Sequence, residues 1–138
     1  MADTLKLEIV TPETTIYSED VEMVTLPGSE GEAGIYPNHV PLMTRVQAGE
    51  IIVNRGGTEE VVAIGEGFAE ITGDHIAILT DNAANSDDID EAAAEEARAK
   101  AEQRLAEGGD ISEEEAQILN QAILYSEAQI KAKRRKRG

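Results

Sequence analysis

The sequence predicts an α+β chain: an all-β body, sandwich or barrel, followed by an antiparallel helical hairpin. Three observations carry this. All four prolines and nine of the twelve glycines lie before residue 86. Alanine and glutamate dominate after it, the switch from turn-rich strand chemistry to helix chemistry. Short apolar runs recur through the first part, and two helix-forming stretches separated by Gly108-Gly109 fill the second. The division falls at 1–85 for the β body and 86–138 for the hairpin with a basic tail.

The strands read in order. Leu5, Leu7 and Ile9 alternate with polar residues, the period of a half-buried strand. Further runs follow at Val21–Leu26, Val40–Val46, Ile51–Val53, Glu60–Ile64, Phe68–Ile71 and Ile76–Thr80. Arg55-Gly56-Gly57 and Thr72-Gly73-Asp74 are turn material between them. A single phenylalanine and no tryptophan imply a core of Val, Ile and Leu.

The first helix is expected from about Asp88 to Ala106, with Asp87 and Asp88 able to cap its start and favouring its positive end, and with Ile89 and Asp90 as a second choice of helix-start core and cap. Glu96 and Lys100 form an i,i+4 pair. Gly108-Gly109 ends this helix. Ser112 and Glu115 form a capping box for the second, with Ile111 and Ala116 as a weak staple. Leu119, Ala122, Ile123, Ser126 and Ile130 share an apolar face. The first helix offers mostly alanine, which buries little area per residue. A loosely attached, detachable hairpin is expected, with a permanently docked one as the alternative.

Charge is unevenly placed. The net charge is −16, but six of the twelve basic residues occupy the last eight positions: Lys131, Lys133, Arg134, Arg135, Lys136 and Arg137. Residues 1–130 therefore carry six basic against 28 acidic residues, a net −22. Such a body repels nucleic acid and anionic lipid. The tail lacks the interleaved aromatics of a nucleic-acid site. It is read either as a contact tail or as a solvated helix end. No cysteine is present, which excludes disulfides and thiolate metal sites and suits a reducing compartment. No stretch approaches a membrane span and the N-terminus does not resemble a signal peptide, so a cytoplasmic chain without membrane insertion is expected.

No catalytic constellation stands out. His39 and His75 are the two histidines, and neither forms a zinc-ligand pattern. His75 begins an apolar run, and His39 lies between two prolines, so contact or structural roles are expected for both. Gly28, Gly31 and Gly34 have the spacing of a phosphate loop, but no Lys-Ser or Lys-Thr follows and Glu30 and Glu32 would repel phosphate. A tight acidic surface turn, suited to a basic partner, is the expectation.

Residues 27–44, PGSEGEAGIYPNHVPLMT, resemble the signature segment of the epsilon subunits of bacterial F-type ATP synthases, called delta in mitochondria. GEGFAEI, residues 65–71, is similar to the family's second marker, with Glu66 in place of its first glycine. HIAILTDNAANSDDID is similar to the passage from last strand to first helix. The resemblance implies a sandwich of about ten strands and a two-helix hairpin. It implies a non-catalytic rotor subunit without metal or cofactor, at the cytoplasmic face of the bacterial inner membrane, coupling proton flow to ATP synthesis. Ser29, Glu30, Gly31 and Glu32 would then meet the basic loops of the c-subunit ring, with plain solvated carboxylates as the alternative. His39, Pro41, Leu42 and Thr44 would lie at the junction with the gamma subunit.

In many such proteins the hairpin extends to the alpha and beta subunits and blocks ATP hydrolysis. The resemblance gives Lys131, Lys133, Arg134, Arg135, Lys136 and Arg137 that inhibitory role; coupling without inhibition is the alternative. Some members bind ATP through Ile/Leu-Asp-x-x-Arg-Ala at the first helix. Here Ile89 and Asp90 match, but Ala93 replaces the arginine. Loss of one charge-assisted bond costs about 1.5–3 kcal/mol, so weak ATP binding at most is expected. A free-standing β-sandwich binding module is the remaining alternative.

Overall fold

The computed structural model describes residues 4–28 and 31–137. Ten strands form two five-stranded sheets. The strands are β1 (Leu5–Val10), β2 (Thr15–Val21), β3 (Met23–Gly28), β4 (Gly31–Ile35), β5 (His39–Val46), β6 (Gly49–Arg55), β7 (Thr58–Ile64), β8 (Gly67–Gly73), β9 (His75–Thr80) and β10 (Ala83–Asn85). A 3₁₀ turn, Ser86–Asp88, leads to helices α1 (Glu91–Glu107) and α2 (Glu113–Arg137). One sheet runs β2-β1-β9-β8-β5 and the other β10-β7-β6-β3-β4. All strand pairs are antiparallel except β1 with β9.

The sandwich core is aliphatic. Leu5, Leu7, Ile9, Ile76, Ile78 and Ile71 of the first sheet face Val24, Ile51, Val53, Val62 and Ile64 of the second. Phe68 is not among them; its ring is half exposed on the outside of β8. Three strands escaped the sequence patterns. β2 is largely polar, β10 has three residues, and β4 was read as turn although Gly28 and Gly31 pair across a β-hairpin. The run expected at Val21–Leu26 is broken at Glu22, between β2 and β3.

The two sheets differ on their outer faces. In β6 and β7, Ile51, Val53, Val62 and Ile64 face the core, while the alternate residues Glu50, Ile52, Val61 and Ala63 are also buried. Burial on both sides explains why these runs lack alternation. The cover is α2, which lies on β6 and β7, and α1 packs chiefly on α2. Val61 and Ala63 of the sheet meet Ala128 and Ala132 of α2, with Ile89 completing the cluster. Each buried alanine methyl is worth about 0.8 kcal/mol, so this seam is thin.

Helix ends follow their chemistry with two shifts. Asp90, rather than Asp87 or Asp88, caps α1: its carboxylate accepts the Ala93 amide at 3.2 Å. Ser112 accepts the Glu115 amide at 3.0 Å, but the Glu115 carboxylate turns to Arg104 at 3.3 Å, so only half of the expected box forms. The stripe on α2 also shifts. Ala122 is exposed, and burial concentrates at Ser126, Ala128, Ile130 and Ala132.

The turn into β8 depends on one glycine. A Cβ at Gly67 would lie 2.0 Å from the Leu79 carbonyl oxygen. The Thr80 hydroxyl, 3.0 Å from the carbonyls of both Gly65 and Glu66, organises the same turn. Glu66 is tolerated because the close approach falls at the second glycine of the marker. Gly67→Ala is expected to cost about 1–3 kcal/mol, the usual penalty of overpacking, read as a lower urea midpoint, while Glu66→Gly leaves the midpoint nearly unchanged.

Candidate functional site

Two surfaces carry the residues singled out in the sequence. The first is at β4 and β5, the outer strands of opposite sheets, joined by Tyr36–Asn38. Asn38 takes a positive φ of 67° there, a conformation that asparagine tolerates better than most residues. Glu32 is exposed on β4. Pro41 and Leu42 are exposed and Thr44 half-buried on β5. Ser29 and Glu30 lie outside the described residues, as do the side chain of His39 and the surroundings of Gly31.

Beside β5 the outer face of the first sheet is uncovered. Val10 pairs with Leu79, Leu79 with Phe68, and Phe68 with Arg45, so these four side chains form one row across four strands. Phe68 is 49% and Leu79 53% exposed. The Arg45 guanidinium lies 5.6 Å from the Phe68 ring centroid, within cation–π range. Met43, also exposed, extends the apolar area along β5. A cleft of about 430 Å³ opens between this row and Thr11-Pro12. Sequence reading missed the row, because Phe68 and Leu79 were assigned to strand runs without a face; the alternation in GFAEI, with Ala69 and Ile71 on the opposite face, was the available signal.

His75 stands at the start of a strand, as its place before an apolar run suggests. It opens β9, an interior strand, and its Nε2 lies 2.7 Å from a Glu8 carboxylate oxygen. Tyr17 donates to Glu60 at 2.7 Å, and Arg55 also binds Glu60, at 3.2 Å. Burial first, then the Glu60 carboxylate, push the Tyr17 hydroxyl well above its ordinary range. These contacts brace the sandwich. Among the described residues no group of three or more histidines and carboxylates is arranged to hold a metal.

The second surface is the basic end of α2, and from Lys131 to Arg135 its cations are engaged by the rest of the chain. Arg135 grips Glu50 of β6 with two bonds, Nε to Oε2 at 2.8 Å and Nη2 to Oε1 at 3.2 Å, and Lys131 lies 3.7 Å from the same carboxylate. Glu50 is only 5% exposed. A carboxylate so placed demands pairing, since an uncompensated buried charge is costly. The Glu50 hydrogen bonds raise the affinity of Arg135 for its proton, and Glu59 and Glu32 add to the effect. Lys133 donates to the Ser86 carbonyl at 3.3 Å, and Arg134 bridges Glu91 and Glu95 of α1, both at 3.1 Å. The last helix is thereby tied to β6, to the 3₁₀ turn and to α1. The side chains of Lys136 and Arg137 lie outside the described residues. Glu50 went unnoticed in the sequence; its signal was a lone acid beside Ile51-Ile52-Val53.

Ile89 and Asp90 serve α1 itself, as buried anchor and cap. Toward the tip of the hairpin the seal opens. A cleft of about 470 Å³ separates Gln117, Gln121 and Tyr125 from Gly65-Glu66 and Asp81-Asn82. The buried Gln121 side-chain oxygen finds no partner among the described residues.

The two arginines should behave differently. Arg135→Ala leaves Glu50 under-compensated and is expected to weaken docking of α2 by about 1–3 kcal/mol. Arg134→Ala removes exposed pairs and should cost under about 1 kcal/mol. The rate of chymotryptic cleavage at Tyr125, half-buried against the sheet, reads the difference.

Comparison with known proteins agrees with this architecture. Residues 4–86 match the family model described as ATP synthase, delta/epsilon chain, beta-sandwich domain. The ATP synthase epsilon chain of Desulforamulus reducens is 42% identical over 125 residues, covering 89% of this chain and 95% of that one. That of Laribacter hongkongensis is 39% identical over 131 residues, covering 94% and 92%. Among solved structures, a chain of the Euglena gracilis mitochondrial ATP synthase (OSCP, F1 and c-ring, rotational state 1) superposes with a TM-score of 0.74 at 23% identity, over 94% of this chain and 81% of that one. With the β-sandwich and its matched marker segments in place, the chain belongs to the delta/epsilon family of ATP synthase subunits.

Proposed function

We propose that this chain is a non-catalytic rotor subunit that links the c-subunit ring to the gamma subunit of a proton-translocating ATP synthase, at the cytoplasmic face of the bacterial inner membrane. The observation that carries this reading is the uncovered row Val10–Leu79–Phe68–Arg45, beside Met43 of β5. Exposed apolar area rimmed by polar groups marks docking surfaces. The gamma subunit is its proposed occupant, because Met43 and Arg45 carry the row onto β5, the strand whose segment 41–44 the family resemblance puts at the gamma junction, although Leu42 and Thr44 themselves pair with Ile71 and Ala69 and face the other side. Transmission of torque requires a foot that does not slip, and a ten-strand sandwich closed on an aliphatic core supplies the stiffness.

The acidic β3–β4 hairpin is proposed as the contact with the ring. Glu32 is exposed on the edge strand and suits a basic loop. Glu32→Lys is expected to reduce the coupling of proton flow to ATP synthesis in the assembled enzyme; unchanged coupling and assembly would count against this contact. Phe68→Ser should lower co-purification with gamma by tenfold or more, about 1.4 kcal/mol or greater, while the urea midpoint of the isolated chain stays close to wild type.

Inhibition of hydrolysis by the hairpin is proposed as a second function. The cations Lys131, Arg134 and Arg135, here occupied by the chain's own acids, and Lys133, held by backbone carbonyls, would be freed by undocking to meet acidic segments of the catalytic subunits. Truncation after Ile130 should raise ATP hydrolysis by the assembled enzyme, and an unchanged rate would remove the tail from an inhibitory role. For ATP binding, Ala93 contributes only its backbone amide, as the donor to the Asp90 cap. Tight binding by the isolated chain is not expected, and calorimetry tests this.

A further inference from the structure

The two functional surfaces meet at one place. A cleft of about 350 Å³ has Pro27, Gly28 and Glu32 of the β3–β4 hairpin on one side, Glu50 on its floor, and Lys131 and Arg135 of α2 on the other. Glu32 is therefore both the exposed acid of the hairpin and part of the acidic surroundings of Arg135, with Glu59 on β7. Glu50 is covered in the docked state and faces the helix from beside Ala63. The apolar part of the same seam is made of small groups, Ala128 and Ala132 on Val61 and Ala63.

We infer that the last turns of α2 and the β3–β4 hairpin share one set of charges, so that a cationic protein loop engaging Glu32 loosens the docked helix. The inference rests on the reading of that hairpin as the contact for a basic partner. A positive group beside Glu32 cancels one of the acids that attract Arg135, and it repels Lys131 and Arg135 across the cleft. Because the seam is thin in apolar area, the charges decide whether the helix stays down. Coupling of this kind is reciprocal: a docked helix also weakens the hold of the hairpin on its cationic partner. The state of the hairpin would thus depend on how firmly the foot is seated.

The test uses the full chain, which has no cysteine to interfere with labelling. Spin labels at Asp20→Cys on β2 and Glu102→Cys on α1 report docking as a narrow distance distribution. Pentalysine is titrated against sodium chloride at equal ionic strength. The expected result is a docked-to-undocked ratio at least about fivefold lower with the peptide, the low end of ordinary allosteric couplings, and an effect largely lost in Glu32→Gln. Glu50→Gln, which keeps the side-chain shape, should release the helix without any peptide. A peptide no stronger than salt, or equally strong on Glu32→Gln, overturns the linkage; a narrow distribution in Glu50→Gln overturns the latch. Because gamma and the ring are absent from this experiment, its failure is distinct from unchanged coupling in the Glu32→Lys enzyme, which would instead defeat the ring-contact reading.

Discussion

A buried carboxylate governs the arrangement of this chain. Glu50 sits on the outer face of β6, nearly closed off from solvent, and Arg135 and Lys131 answer its charge from the end of a 25-residue helix. Without the helix, Glu50 is an ordinary surface acid. With it, an 85-residue separation in sequence is closed by two short charge-assisted bonds. The pairing fixes which sheet is covered, which face of α2 is inward, and where the tip of the hairpin is left to gape beside Gln121. The uncovered sheet then has no cover of its own for Phe68 and Leu79.

This division of faces separates two mechanical properties. The sandwich is sealed by large aliphatic side chains, so it opens only at a cost close to global unfolding. The hairpin rests on alanines and on charge pairs to Glu50 of graded exposure, from Lys131 at 72% to Arg135 at 37%. A rotor foot that bears load calls for the first property, and an arm that is raised and lowered calls for the second. Both come from residue choice within one short chain, with only residues 86–90 between β10 and α1.

Much of this was legible in the residues. The switch from Gly/Pro to Ala/Glu marked where strands give way to helices, and Gly108-Gly109 marked the hairpin turn, where both residues take positive φ. The unbroken apolar runs at 51–53 and 61–64 marked strands, but their lack of alternation, a sign of burial on both sides, was left unused. Three things were hidden. β2 and β4 owe their existence to pairing with β1 and β3 rather than to their own polar or glycine-rich sequences. The partners of the basic tail lie on β6, the 3₁₀ turn and α1, and one-dimensional charge blocks carry no record of such distances. Phe68 and Leu79 fall within apolar runs; the alternation in GFAEI hinted that Phe68 faces away from Ala69 and Ile71, and the register with Val10 and Arg45 sets both residues in one outward row.

The most direct test of this division of labour is a chain ending at Asn85, the last residue of β10, assembled with the other subunits of the enzyme. If the sandwich carries attachment and the hairpin carries regulation, the shortened chain binds gamma, keeps proton flow coupled to synthesis, and lets ATP hydrolysis run severalfold faster than the full chain does. Failure of the shortened chain to associate with gamma, although it remains folded, would contradict the account, since attachment would then reside in the helices.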